Sequence, residues 1–381
     1  MNLAFLSSGT LLVFLGSCMF GTTTFAAARA NTLLEAKKEA EAKGFIFEAS
    51  HDDIVAKAKK EKKLNVLSGA EPTSFQEFMK SFQNKYPFLE VSMTEITGAE
   101  AARRHILEVK SGRKTEYDLV NINTVLYGEY PPHAKKFDIL GMVQHGVLSI
   151  HPTMVDPNNR TIVAVGHGLD VVVYNKNLIS ADKIPDRWED FLKPEFKGRK
   201  FIVDVEPRIY SVFASCPDQG LGLEWMLNYA RKIRAQEPVW IRGFTRALSA
   251  MLAGEYALHS GVNYHSAMRL KKKDVRGILE IKVIEPAPLR VTHPQMILYS
   301  ASSPYAALLF IEHQASPEGQ AIMDRYEPVQ ASIYTPGSIL NGMVKGKKVC
   351  INGFDTYEKS SEWMKDAVEA LGFPKEEAGR K

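Results

Sequence analysis

The sequence predicts an α/β protein of two lobes, between which the chain crosses on extended strands. Short apolar runs alternate with amphipathic helical stripes, the pattern of a mostly parallel sheet covered by helices. This pattern occurs twice, before and after an extended stretch at residues 161–174. No period of 20–50 residues stands out, so solenoids and propellers are excluded. Each lobe is therefore expected to hold its own α/β unit.

Composition agrees with a globular chain of this kind. The 381 residues are 45% hydrophobic and 24% charged, with a formal net charge of +4. Lysines cluster at 57–63 and 271–273, but such runs usually form solvated helix faces, so no nucleic acid partner is expected. No stretch after residue 30 reaches the roughly 18 uncharged apolar residues that a membrane span needs.

Residues 1–30 are predicted to be a signal peptide, which places the mature protein in the periplasm. Residues 11–20 (LLVFLGSCMF) form an apolar run of the right length, and small residues at 26–30 fit an A-x-A cleavage site, although no Lys or Arg precedes the run. Residues 15–18 also resemble a lipobox, which would anchor the protein by lipid at Cys18. After processing, Cys216 and Cys350 remain; they could pair in an oxidising compartment, but the sequence leaves this open.

The first lobe is predicted to read strand, helix, strand, helix, strand. The predicted strands are 64–67, 89–93 and 119–122. A helix begun near Ser74 presents an apolar stripe to the sheet, and a second helix does the same. The stripes are Phe75, Phe78, Met79, Phe82 and Tyr86, and then Ala99, Ala102, Ile106 and Val109.

The crossings and the second lobe follow. Two β-rich runs, 162–165 and 171–174, are split by Gly166 and Gly168 and suit a hinge. A strand at 201–205 and two helices form the second lobe, and the run 281–284, with prolines after it, is predicted to be the return crossing. The expected boundaries are a helical segment at 31–61, a first lobe at 62–165 plus 286–340, a second lobe at 166–285, and a C-terminal helical extension at 341–381.

Several motifs resemble those of bacterial extracellular solute-binding proteins of ABC importers, in order over roughly residues 60–335. Residues 63–69 (KLNVLSG) resemble the first strand and ligand loop, and 82–87 (FQNKYP) resemble a helix end of these proteins. Residues 174–176 (YNK) resemble the element after the hinge. Residues 188–198 (WEDFLKPEFKG) resemble a segment of the iron(III), thiamine and phosphonate-type members, and 306–320 their ending. The resemblance implies a type II periplasmic-binding fold, hinged closure on a solute and delivery to a membrane permease.

The ligand is expected in the crevice beyond the carboxyl ends of the strands, where loops lead into helix N-termini. Five loops meet this condition, three from the first lobe and two from the second. Ordinary turn and capping chemistry explains any single residue in them equally well. The predicted ligand-binding residues are Ser68, Gly69, Ala70, Thr73, Thr97, Gly98, Asn121, Asn123, Arg208, Tyr210, Arg242 and Asn263.

The loop at 263–266 points to the chemistry of the ligand. In iron(III)-binding relatives a pair of tyrosines follows a Gly-Glu helix end, and here Gly254-Glu255 is followed by Tyr264 and His265. The resemblance therefore implies a ferric site at Tyr264 and His265, to which Glu71 or Glu100 could add a carboxylate from the opposite lobe. His265 departs from the family pattern, so a small organic anion bound by Arg208 remains the alternative.

No catalytic residue and no cofactor are expected. The sequence lacks a G-x-S-x-G elbow, an H-E-x-x-H motif, a Walker loop and a G-x-G-x-x-G after a strand. We therefore expect a monomeric binding protein, with a solute or ferric ion as cargo and an ABC permease as partner. A ligand-sensing role and an enzyme on the same fold are the remaining alternatives.

Overall fold

The computed structural model describes residues 20–96, 98–113, 115–326 and 330–373. Cys18, Thr97 and residues 1–19 of the predicted signal peptide lie outside these ranges. The described helices are α1 (Phe20–Ala42), α2 (His51–Glu61), α3 (Pro72–Lys85), α4 (Gly98–Lys110), α5 (Ile139–Gln144), α6 (Arg208–Ala214), α7 (Leu223–Ala235), α8 (Phe244–Leu252), α9 (Tyr264–Lys271), α10 (Pro304–Ala315), α11 (Pro317–Tyr326), α12 (Ile339–Val344) and α13 (Tyr357–Leu371). The described strands are β1 (Lys63–Ser68), β2 (Glu90–Glu95), β3 (Leu119–Asn121), β4 (Ile162–Asn175), β5 (Ile202–Asp204), β6 (Val239–Ile241), β7 (Leu258–Asn263), β8 (Leu279–Lys282), β9 (Ala287–Ile297) and β10 (Val349–Asn352).

The strands join in the order β2-β1-β3-β9-β4-β7-β5-β6, with β10 beside β9 and β8 beside β4. Strands β1 to β3 pair in parallel and form the sheet of the first lobe. Strands β5 to β7 pair in parallel and form the sheet of the second lobe. The antiparallel strands β4 and β9 run through both lobes, so the predicted architecture of two α/β units joined by crossing strands is confirmed.

The outward crossing is one continuous strand, where the sequence predicted two runs interrupted by glycines. Strand β4 stays extended through Gly166 and Gly168 because both positions lie against neighbouring backbone or side chains. A Cβ atom on Gly166 would overlap the backbone oxygen of Gln330, and one on Gly168 would lie 3.3 Å from the Cγ2 atom of Thr292. Here glycine permits close packing and does not break the strand.

The predicted position of the return crossing was wrong. Residues 279–282 form the short strand β8, which pairs with β4 inside the second lobe. The chain returns on β9, which contains Pro288 and Pro294. Prolines usually indicate that a segment is not a central strand, because proline has no N–H group to donate to the hydrogen bonds of a sheet. In the fold, β9 nevertheless pairs with β3 and β4 by antiparallel bonds and with β10 by parallel ones.

Each lobe has an apolar core built from the predicted stripes. In the first lobe Phe75 and Phe82 of α3 pack on Phe310 of α10, and the rings of Phe82 and Phe310 lie 5.1 Å apart, edge to face. Helix α2 also packs on α10, so the N-terminal helical segment belongs to the first lobe. In the second lobe Trp188 is fully buried beside Phe213. Among the described helices, none combines the length and the apolarity that crossing a membrane requires.

The C-terminal segment returns to the second lobe. A disulfide joins Cys350 of β10 to Cys216, just after α6, across 134 residues of sequence, which closes the question the sequence left open. Helix α13 packs on α6 and α7, with Trp363, Ala367 and Leu371 in the core. Leu340 of α12 also packs in the second lobe, with Leu248 of α8, so the first lobe ends before the predicted residue 340.

Candidate ligand site

The start of helix α9 places two predicted metal ligands where the lobes meet. Strand β7 ends at Asn263, and Tyr264 and His265 follow at once as the first residues of α9. Tyr264 is only 9% exposed. Burial, followed by the charge of Asp324 on α11 of the first lobe, raises the pKa of the Tyr264 phenol. The phenol is therefore protonated at neutral pH in the ligand-free protein.

His265 belongs to a chain of polar contacts with the crossing segments. The Nε2 atom of Gln330 lies 3.1 Å from the Nδ1 atom of His265, and the Oε1 atom of Gln330 lies 2.9 Å from the Nε2 atom of His293 on β9. The backbone oxygen of Gln330 accepts a hydrogen bond of 3.0 Å from the N–H of His167 on β4. His293 has a φ of 53°, which is uncommon outside glycine. Gln330 thus ties His265 to both crossing strands.

Glu71 reaches the same helix from the opposite lobe. It precedes α3 in the loop after β1, and its carboxylate forms an ion pair with Arg269 of α9. Arg269 lies one helical turn beyond His265, on the same face of α9. The third predicted metal ligand, Glu71, therefore lies at the face of α9 that carries His265, although it comes from the other lobe.

The other predicted first-lobe loops are held by their own hydrogen bonds. The Oδ1 atom of Asn121 accepts from Ser68 Oγ at 2.8 Å and from the Gly69 N–H at 3.0 Å. The Ala70 N–H in turn donates to Ser68 Oγ at 3.1 Å. Asn123 caps a short 3-10 helix by accepting from the Val125 N–H at 3.0 Å. These bonds shape the rim of the cleft. Thr73 is exposed on α3, and Gly98 begins α4 with a φ of +80°.

On the second lobe, a narrow recess lies at the carboxyl ends of β5 and β7. Its volume of about 10 Å³ is enough for about one water-sized group. Arg208 and Asp204 both line it. Burial raises the pKa of Asp204, whereas backbone N–H groups and Arg208 act in the opposite direction. Arg242 forms an ion pair with Glu206 at 2.8 Å. Tyr210 also borders the recess, but its ring is buried against Phe213 and Tyr229.

Several residues of this region were missed from the sequence. Arg290 of β9 forms a largely buried ion pair with Asp170 of β4, at the point where Asp170 pairs with Asn263. Charged residues inside apolar strands were the signal that could have identified this pair. Gln330 and Asp324 carry no such signal, because only the chain path brings them to α9.

The site is poor in the usual metal-binding side chains. Across the part of the chain that the structure describes, no group of three or more His, Cys, Asp and Glu residues is arranged to hold a metal ion. The predicted set of Tyr264, His265 and Glu71 contains only two residues of those types. Any metal bound there depends on the phenol of Tyr264.

Comparison with known proteins assigns the family. Residues 121–360, more than half of the chain, match the family model of the bacterial extracellular solute-binding proteins. The chain belongs to this family. No curated individual protein matches the sequence of this solute-binding protein significantly.

Solved structures confirm the fold of this solute-binding protein. The ferric iron-binding protein A of Mannheimia haemolytica, in an open conformation, shares 16% identity, with 82% of this chain and 100% of that chain covered and a TM-score of 0.63. The ferric binding protein of Campylobacter jejuni shares 22% identity, with 84% and 100% covered and a TM-score of 0.56. The spermidine/putrescine substrate-binding protein PotD of Streptococcus pneumoniae shares 15% identity, with 81% and 99% covered and a TM-score of 0.53.

These findings confirm the predicted class and the type II periplasmic-binding fold. By its family, the protein is a bacterial extracellular solute-binding protein. Its family and these structural neighbours are named as binding proteins. At such low sequence identities, the neighbours show the fold and leave the ligand to be argued from the residues of the site.

Proposed function

We propose that this solute-binding protein carries ferric iron, held between Glu71 of the first lobe and Tyr264 and His265 of the second, and delivers it to a membrane permease. One observation carries the proposal: the ion pair of Glu71 with Arg269 brings Glu71 to the face of α9 that carries His265. Ligands from both lobes at one place are what hinged closure on an ion requires.

The chemistry of the three side chains supports a hard trivalent ion. Carboxylate and phenolate oxygens suit Fe³⁺, and imidazole nitrogen is a common ligand of iron. Because burial and Asp324 raise the pKa of Tyr264, the phenol loses its proton only when the metal binds. Iron uptake should therefore release protons, and the affinity should rise with pH. The names of several structural neighbours, which are ferric-binding proteins, add support.

The alternative cargo, a small organic anion, has less support from the charges of the site. Binding of such an anion would need an arginine whose guanidinium group is not already paired with a carboxylate of the protein. Arg242 and Arg290 are paired with Glu206 and Asp170. Arg269 is paired with Glu71, and Arg208 lies close enough to Asp204 to influence the pKa of that carboxyl group. An incoming anion would have to compete with these carboxylates.

The proposal is tested by the colour of the iron-loaded protein. A tyrosinate–Fe³⁺ bond gives a visible charge-transfer band, and Tyr264→Phe removes the donor atom. The band should disappear, and ferric affinity should fall by more than about 100-fold, since loss of an outer-shell partner alone costs 10–100-fold. Tyr299→Phe, at an exposed tyrosine of the first lobe, is the matched control and should keep both.

Two results would contradict the iron proposal. One is a wild-type protein that stays colourless and takes up no iron from ferric nitrilotriacetate. The other is a ferric affinity unchanged by Tyr264→Phe. If the wild-type protein instead binds a carboxylate or phosphonate anion and loses it in Arg208→Ala, the organic anion is the cargo.

A further inference from the structure

Helix α9 faces the first lobe with a positive charge beside the proposed ligands. Arg269 follows His265 by four residues, so their Cβ atoms lie about 5–6 Å apart on one helix face. Its guanidinium pairs with the carboxylate of Glu71, which is 198 residues away in sequence and belongs to the first lobe. This ion pair therefore spans the cleft between the lobes.

The ion pair is exposed enough to be reversible. The side chains of Arg269 and Glu71 are 49% and 45% exposed. Exposed pairs of this kind shift an equilibrium by only about 1.4- to 5-fold. Such a contact favours the approach of the lobes without locking them. A ligand that interacts more strongly with Glu71 can therefore break it.

A metal ion bound at Glu71 would compete with the guanidinium of Arg269, because both would interact with the same carboxylate. Arg269 cannot relieve the conflict by losing a proton, because a guanidinium keeps its positive charge in proteins. Its side chain must therefore move away when a metal ion binds. Coulombic attraction grows with ionic charge, so a trivalent ion displaces the guanidinium more readily than a monovalent or divalent ion does.

We infer that Arg269 tunes the affinity of the site: it is the counter-ion of Glu71 in the ligand-free protein, and the metal cargo must displace it. The inference rests on the proposed function, since it takes ferric iron as the cargo. The ion pair exists only before binding. Removing it therefore raises the free energy of the ligand-free state alone, and the metal binds more tightly.

The experiment compares Arg269→Gln and Glu71→Gln with the control Lys272→Gln, in the full-length protein. Lys272 directly follows the last residue of the same helix and is exposed, and its substitution removes the same charge. Ferric affinity is measured by competition with nitrilotriacetate, and affinity for Mn²⁺ is measured in parallel. Spin labels on the two lobes report the distance between them without ligand.

We expect Arg269→Gln to bind Fe³⁺ about 1.4- to 5-fold more tightly than the wild type. Its Mn²⁺ affinity should rise by the same factor, because the lost ion pair belongs to the ligand-free state alone. Glu71→Gln should weaken ferric binding. Without ligand, Arg269→Gln and Glu71→Gln should change the distance between the spin labels by the same amount. The double variant Glu71→Gln/Arg269→Gln should show no further change, and Lys272→Gln should match the wild type.

An Arg269→Gln variant that binds Fe³⁺ no more tightly than Lys272→Gln would overturn the inference, as would unchanged lobe distances. If neither the wild type nor any variant binds Fe³⁺, the proposed function fails, and displacement by iron fails with it. In that case the label distances still decide separately whether the ion pair holds the lobes together.

Discussion

The disulfide between Cys216 and Cys350 should make a large contribution to stability, because it closes a long loop. The two cysteines are 134 residues apart. The chain-entropy relation gives a loss of unfolded-state entropy of roughly 17 cal/mol/K for such a loop, or about 5 kcal/mol at 25 °C. Measured disulfides often deliver less, so we expect reduction to lower the free energy of unfolding by about 2–5 kcal/mol. For a chain of this size the unfolding temperature should fall by about 3–7 °C.

Thermal unfolding with and without dithiothreitol measures this effect. The double variant Cys216→Ala/Cys350→Ala is the control, because its unfolding temperature should not respond to the reductant. It should lie close to that of the reduced wild type, apart from the cost of removing two buried sulfur atoms. Equal unfolding temperatures for the oxidised and fully reduced wild type would refute the reasoning, since loop closure would then contribute nothing.

Two further predictions concern the strands and the crossing region. Burial lowers the pKa of His167 and of His259 to about 3, from 6.5 in an unfolded chain, so the unfolded state binds more protons between these values. The free energy of unfolding should therefore be highest above pH 6.5 and should fall as the pH drops towards 3. A denaturant midpoint that stays constant between pH 6.5 and pH 3 would contradict this prediction. Gly166→Ala should cost about 1–3 kcal/mol because its Cβ atom would overlap the backbone oxygen of Gln330, whereas Gly342→Ala, with open space around it, should be neutral or slightly stabilising. Urea unfolding of both variants checks this, and equal midpoints would show that the crossing can relax.

Sequence reasoning succeeded where the signal is local. Helical stripes such as Phe75, Phe78 and Phe82 fixed a helix and its buried face, because side-chain periodicity depends only on neighbouring residues. It failed where local signals conflict with long-range pairing. Glycines suggested a break within β4, and the apolar run 281–284 suggested a return crossing that β9 in fact makes. Pairing with strands distant in sequence decided both cases.

The candidate site shows the same division. Tyr264 and His265 were predicted as ligands because they follow the Gly254-Glu255 motif in the sequence. Asp324, Gln330 and Arg269 were missed, because their sequence contexts are those of ordinary helices and loops. Each acquires its role only from a contact with a residue far away in the chain.

The sequence by itself determined the family, the α/β class and the two-lobed plan, because these follow from local periodicity and from motifs in order. Only the tertiary structure decided that Glu71 meets Arg269 and that Cys216 pairs with Cys350. Contacts separated by 198 and 134 residues depend on the path of the whole chain. The physical reason is that a residue's local sequence sets its secondary structure, whereas its long-range partner is set by how the crossing strands β4 and β9 bring the lobes together.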